Sequence, residues 1–170
     1  MPSDVPSISF LLRTFGFAAL AGMRSFSPPA LLSLYLSRHV LSPGQSVAQW
    51  LKTSSTKKVI VGLALAELAA DKLPNAPNRT FLPALIGRAF TGGGASALLW
   101  SLKGHPAWIG GVGGAVASVG NTYLTFYLRQ WLSKALPLPN AVSLAGVIED
   151  ALLWFVGWRL LQGATERTTE

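Results

Sequence analysis

Cysteine is absent from this chain of 170 residues. A disulfide framework, a thiol nucleophile and a cysteine-based metal site are therefore excluded, and the redox compartment is left open. Charge is scarce as well: charged residues make up 12% of the chain, against about 25% in ordinary soluble proteins. Acids are the scarcest, with seven Asp and Glu against fourteen Lys and Arg and a net charge of +7. No His-Glu-x-x-His, Walker A or Gly-x-Ser-x-Gly pattern occurs, so the common metalloprotease, nucleotide and serine-hydrolase motifs are missing. His39 and His105 flank apolar runs without a metal-ligand neighbour at ordinary spacing and read as interfacial. No catalytic residue, metal or cofactor is expected.

What the chain has in abundance is oil. Half of it is apolar, the mean hydropathy is +0.41 and several apolar runs are long. That balance implies one all-α domain, a polytopic membrane helix bundle. The cations form no single stripe; most sit near the ends of apolar runs, where they meet lipid phosphates and snorkel. The expected partner is a lipid bilayer, not nucleic acid. The first seven residues carry Asp4 and no Lys or Arg, which is wrong for a signal-peptide n-region. The first apolar run therefore reads as a retained element.

Residues 8–41 are apolar apart from an interruption at 24–29. A single helix of that length would measure ~50 Å, too long for a hydrocarbon core of ~30 Å. The run predicts one broken crossing, with Ser27 capping its second part and Pro28 in the first turn of that part. Because Pro28 and Pro29 lack an N–H, Ala30 and Leu31 are the expected backbone donors there. Residues 42–56 read as an interfacial segment, and further spans are predicted at 58–73, 83–102, 107–133 and 141–162, followed by a polar tail at 163–170. Pro74 to Asn78 and the Pro137–Pro139 stretch read as loops. The total is about five crossings.

Five crossings put Arg38, Lys52, Lys57, Lys58, Lys103, Arg159 and Arg167 on the side opposite the N-terminus, and Lys72, Arg79, Arg129 and Lys134 on the N-terminal side. The cation excess makes the former side cytoplasmic. Gly110, Gly114 and Ser118 form a small-residue face at helical spacing, suited to close packing inside the bundle or between copies in a homo-oligomer. Trp100, Trp108, Trp131, Trp154 and Trp158 lie mostly near span ends, as an aromatic belt would.

Four of the seven acids, Glu67, Asp71, Glu149 and Asp150, fall inside apolar runs. Charge in hydrocarbon is costly, so such acids are candidate functional groups with partners. The span order puts Glu67, Arg88 and the Glu149-Asp150 pair at similar depth beneath one face. Glu67 and Asp71 share a helix face and repel when both are ionised, which suits them to holding a proton or a cation. Arg24, Ser25 and Ser27 at the helix break would add donors, as at the discontinuous helices of transporters. In this reading Glu67 and Glu149 bind or titrate, Asp71 and Asp150 tune them, and Arg24 and Arg88 act as counter-charges. The same residues also fit an ion-pair network that only orders the bundle. Gly22-Met23-Arg24 leading to Leu34-Tyr35-Leu36-Ser37-Arg38 is weakly echoed by Gly120-Asn121-Thr122 leading to Phe126-Tyr127-Leu128-Arg129, which suggests an inverted repeat.

Three motifs together resemble a family of bacterial integral membrane proteins known as the domain of unknown function 4126 (DUF4126). They are Gly22-Met23-Arg24-Ser25-Phe26-Ser27-Pro28, Glu67 to Pro74 with Asp71-Lys72, and Ser143-Leu144 followed by Glu149-Asp150. The resemblance covers about residues 15–160. It implies a multi-span protein of the bacterial inner (cytoplasmic) membrane and the same choice of residues, and it implies no activity. The leading expectation is a small transporter or channel-like carrier for a proton, cation or small polar solute. The alternative is a non-transporting scaffold or assembly protein. A membrane enzyme acting on lipid head groups ranks third.

Overall fold

The computed structural model describes residues 5–39, 44–70, 81–135 and 141–165, with backbone alone at 132, 133, 135 and 141–149. The expected all-α class holds: the described residues form seven α-helices and one 3-10 turn, with no strand. They are α1 (Ile8–Ala19), the 3-10 turn (Leu20–Gly22), α2 (Ser27–Leu36), α3 (Ser46–Lys52), α4 (Ser54–Ala70), α5 (Leu82–Leu102), α6 (Ala107–Ala135) and α7 (Ala141–Thr165). Asp71, Lys72, Arg79 and the expected loops at 74–78 and 137–139 lie outside the described residues. The tail expected from 163 begins later, because α7 continues to Thr165.

Local chemistry sets the helix ends. Ser7 caps α1, its side chain accepting from the Phe10 N–H at 3.2 Å. Lys103-Gly104-His105 closes α5 with Gly104 at φ 77°. There the His105 N–H donates to the Trp100 carbonyl and the Gly104 N–H to that of Ser101, a glycine-dependent stop that satisfies two terminal carbonyls. Pro106 then leads into α6.

The first apolar run is not one crossing. α1 and α7 run antiparallel: Gly157 meets Phe17 and Leu20, Gly16 meets Leu160, and Arg13 reaches the Gly163 carbonyl. α2 and α7 run parallel: Asp150 meets Arg24, Gly157 meets Leu31, and Tyr35 bonds Thr165. The chain therefore reverses between α1 and α2, and both arms of the hairpin return to one end. That end, the base, also holds the α5–α6 turn, α3, the start of α4 and the end of α7. This corrects the expectation that residues 8–41 cross in one direction. The sequence left too little chain for two full spans, and the hairpin avoids that limit by turning back partway.

The hairpin is the centre of the fold. α1 packs on α5, α6 and α7, and α2 on α3, α4, α5 and α7. Phe17, Leu31, Leu32, Leu36, Leu99, Leu153 and Leu161 are buried around it. The small-residue face of α6 is filled within the chain. Gly110 lies under the Trp100 ring, Gly114 against Ser96 and the Gly92 carbonyl, and Ser118 against Gly22. Its Gly-rich composition serves this internal contact, where a Cβ at Gly114 would come within 2.8 Å of the Gly92 carbonyl. Trp100 is also corrected: it is a buried core residue whose indole N–H donates to Thr14, not a belt residue. α6 passes through Gly120-Asn121-Thr122 without a break, so the two segments of the suggested repeat differ in geometry.

Among the described residues, no helix is long and apolar enough to cross a membrane. The reason lies in how apolarity is divided. The inner faces of α5 and α6 carry Arg88, glycines, Ser96, Ser118 and Thr122, and these dilute helices whose outer faces are oily. Outward-facing Val59 and Leu63 on α4, Ile86 and Phe90 on α5, and Val112 and Val116 on α6 recur at i, i+4. Phe90 is 81% exposed and Phe155 on α7 67%.

Candidate functional site

The hairpin tip, residues 20–27, joins side chains from four other helices. Along their own helices, Glu67, Arg88, Thr122 and Asp150 each lie ~20 Å from the base end at 1.5 Å per residue. The tip lies at that level because α1 tightens into the 3-10 turn and stops at Met23, and α2 begins only at Ser27.

Arg24 is 5% exposed. Its Nε donates to Asp150 Oδ1 at 2.9 Å and its Nη2 to Oδ2 at 3.2 Å, a two-pronged pair. Its Nη1 donates to the Glu67 backbone carbonyl at 3.4 Å. The fork of a guanidinium matches the two carboxylate oxygens, so this pair is directional as well as charged. Asp150, expected to tune the binding acids or to join an ion-pair network with Arg24, is the direct partner of Arg24.

Glu67 occupies the other side of the tip. Its Oε1 accepts from the Ser25 N–H at 2.8 Å and its Oε2 from the Phe26 N–H at 3.0 Å. Those donors lie just before α2, where no preceding turn satisfies them and the helix dipole favours an anion. The expected cap is corrected accordingly. Phe26 is the N-cap residue, no side chain of its own segment caps α2, and Ser27 stands inside the first turn. The Ser27 hydroxyl is fully buried with no hydrogen-bond partner among the described residues. Ala30, expected to offer a free donor, instead gives its N–H to the Phe26 carbonyl. Pro28 and Pro29 leave no N2 or N3 donor for a local cap, and the carboxylate from α4 instead takes the N–H groups of the N-cap residue Phe26 and of Ser25 before it.

The α1 side of the tip is held differently. Ser118 donates to the Arg88 carbonyl at 2.8 Å, Thr122 to the Gly22 carbonyl at 3.2 Å, and the Asn121 side-chain amide to the Ala19 carbonyl at 2.8 Å. Arg88 is 6% exposed on α5. Sequence reasoning missed Ser118, Asn121 and Thr122 as tip residues, although one Asn in an apolar helix was a usable signal.

The structure therefore joins Arg24, Ser25, Glu67 and Asp150 in one cluster, with Ser27 adjacent in the chain. It brings the buried Arg88 backbone to the α6 residues that hold Gly22. Glu149 is on α7 next to Asp150, but its side chain, like all of Asp71, lies outside the described residues. Among the described residues, no group of three or more His, Asp or Glu could hold a metal ion. Comparison with protein-family models, with curated proteins and with solved structures gives no match.

Proposed function

We propose that the chain is an integral membrane helix bundle acting as a small carrier for a proton, a cation or a small polar solute, with the hairpin tip as its gate. The membrane part is supported by an apolar outer surface around an interior that also holds polar and charged side chains. Arg24, Arg88, Ser27, Ser96, Ser118 and Thr122 are buried, while large apolar side chains line the outer faces of α4 to α7. Exposed apolar surface on that scale marks contact with lipid or another apolar partner. The resemblance to DUF4126 and a bacterial inner-membrane location belong to the same proposal.

One observation carries the carrier reading: the Glu67 carboxylate closes the tip through two backbone N–H groups of a different segment. A proton or cation taken up by Glu67 weakens both bonds at once, because each is strong only while its acceptor is charged. The tip then keeps only the 3.4 Å bond from Arg24 to the Glu67 backbone carbonyl as a polar tie to α4 among the described residues, while the Arg24–Asp150 pair still anchors it to α7. Binding and movement are thereby coupled at one residue, as alternating access requires.

A specific observation favours a second reading. The bidentate Arg24–Asp150 pair satisfies both charges without any solute, as a non-transporting scaffold or assembly protein would need. Proteoliposomes separate the two. The carrier reading expects an ion- or pH-driven flux in the parent and its loss in Glu67→Gln, with the fold retained. A parent with no flux under any imposed gradient, and a Glu67→Gln variant changed only in stability, establishes the scaffold reading instead.

A further inference from the structure

We infer that the base of the bundle is a docking surface for anionic phospholipid head groups, an inference that rests on the membrane reading above. From residue 5 to residue 66 the chain carries six cations and no Asp or Glu. The fold gathers four of them, Arg38, Lys52, Lys57 and Lys58, where α2 ends, α3 lies across the base and α4 begins. Lys52 Nζ donates to the His39 carbonyl at 3.3 Å, which ties α3 to the end of α2. Ser33 reinforces this tie by donating to the Leu51 carbonyl at 2.6 Å. Lys57 follows within one turn, its N–H bonded to the Thr53 carbonyl. The Arg38 guanidinium lies 5.1 Å over the Trp158 ring, so α7 closes the patch.

Charge alone would suit any polyanion; α3 narrows the choice. Its inner side, Ala48 and Leu51, is buried, while Val47 and Trp50 on its outer side are each 61% exposed. Val59 stands exposed beside Lys57 and Lys58. A surface that alternates cations with outward Trp and Val matches a bilayer interface, where apolar groups enter the acyl boundary and cations meet phosphates. A nucleic acid would leave Val47 and Val59 in water. Because α1 also starts at the base, these cations share the end of the bundle where α1 begins rather than lying opposite it, and their excess makes the base the cytoplasmic side, with the hairpin opening toward it.

The test compares full-length protein in neutral phosphatidylcholine and in mixed phosphatidylcholine–phosphatidylglycerol nanodiscs, with the parent and Lys52→Ala/Lys57→Ala/Lys58→Ala. The expected result is preferential retention of phosphatidylglycerol by the parent and a higher unfolding temperature in the mixed discs, both weakening with added salt. The triple variant should fold in neutral discs and lose selectivity by up to about a hundredfold, from about fivefold per lysine. Equal retention of the two lipids by the parent, or selectivity unchanged in the triple variant, overturns the inference. So does equal protection by inorganic phosphate in neutral discs, which would assign the patch to a free anion, or displacement of phosphatidylglycerol by RNA. Flotation with neutral vesicles after an alkaline wash separates the two levels. A chain that floats but ignores the head group loses only this inference; a chain that does not float loses the membrane reading and this inference with it.

Discussion

The two arms of the hairpin are held by different physics. The α1 arm is fixed by shape. Gly22, Gly92 and Gly114 let α1, α5 and α6 approach to backbone contact, and neutral hydroxyl and amide bonds complete the join. The α2 arm is fixed by charge. Arg24, Asp150 and Glu67 bind it to α7 and α4 through bonds that need ionised groups. The contrast teaches that the tip is joined on the α1 side by neutral close packing and on the α2 side by bonds to charged groups.

The largest expected effect breaks the charge-held arm. Asp150→Ala removes the bidentate carboxylate from the buried Arg24, and removing one member of a buried pair costs about 3–5 kcal/mol. A thermal-unfolding midpoint measured in detergent or nanodiscs should fall steeply, and hydrogen exchange should rise at α2 before α1. Arg24→Leu with Asp150→Leu sharpens the point, because replacing both charges by apolar groups is often nearly neutral. The double variant should regain most of the lost stability; equal losses in single and double variants would mean that the pair's charge is not what matters.

Next comes the shape-held arm. A Cβ on Gly22 would overlap the Ser118 carbonyl oxygen and lie 2.7 Å from the Thr122 nitrogen, both backbone atoms that cannot rotate away. Gly22→Ala should cost about 1–3 kcal/mol by overpacking. Exchange should rise where α1 meets α6, while the Arg24–Asp150 contact persists. A variant as stable as the parent would show that α1 and α6 are not in backbone contact.

The smallest effect concerns one neutral bond. Ser118→Ala removes the donor to the Arg88 carbonyl and should cost about 1 kcal/mol, detectable as a modest shift in the unfolding midpoint. A loss comparable with that of Asp150→Ala would erase the distinction between the two arms.

Much of this was legible before any coordinates. The helices at 82–102 and 107–135 lie within a few residues of the expected spans, because apolar runs end at Pro83, Gly104 and Pro106. Glu67, Asp150 and Arg24 stood out because charge in an oily run is costly. The reversal of the first run was not legible. An interruption at 24–29 is compatible with a kinked rod and with a hairpin, and the choice depends on α7, more than a hundred residues away in sequence. The cap of α2 was misread for a related reason. Ser27 has capping chemistry but stands inside the first turn, and the free N–H groups before it, on Ser25 and Phe26, are met by Glu67 from α4.

Composition and pattern by themselves determined the helical class, the rough helix limits and the identity of the charges that need partners. Those properties follow from local backbone chemistry and from the desolvation cost of an ionised side chain, both readable residue by residue. Only the tertiary structure decided that α1 and α2 fold back, that Arg24 pairs with Asp150, and that Glu67 seals the Ser25 and Phe26 N–H groups. Backbone donors occur at almost every position, so sequence cannot say which of them a distant carboxylate will reach; chain reversal and helix packing choose the pair.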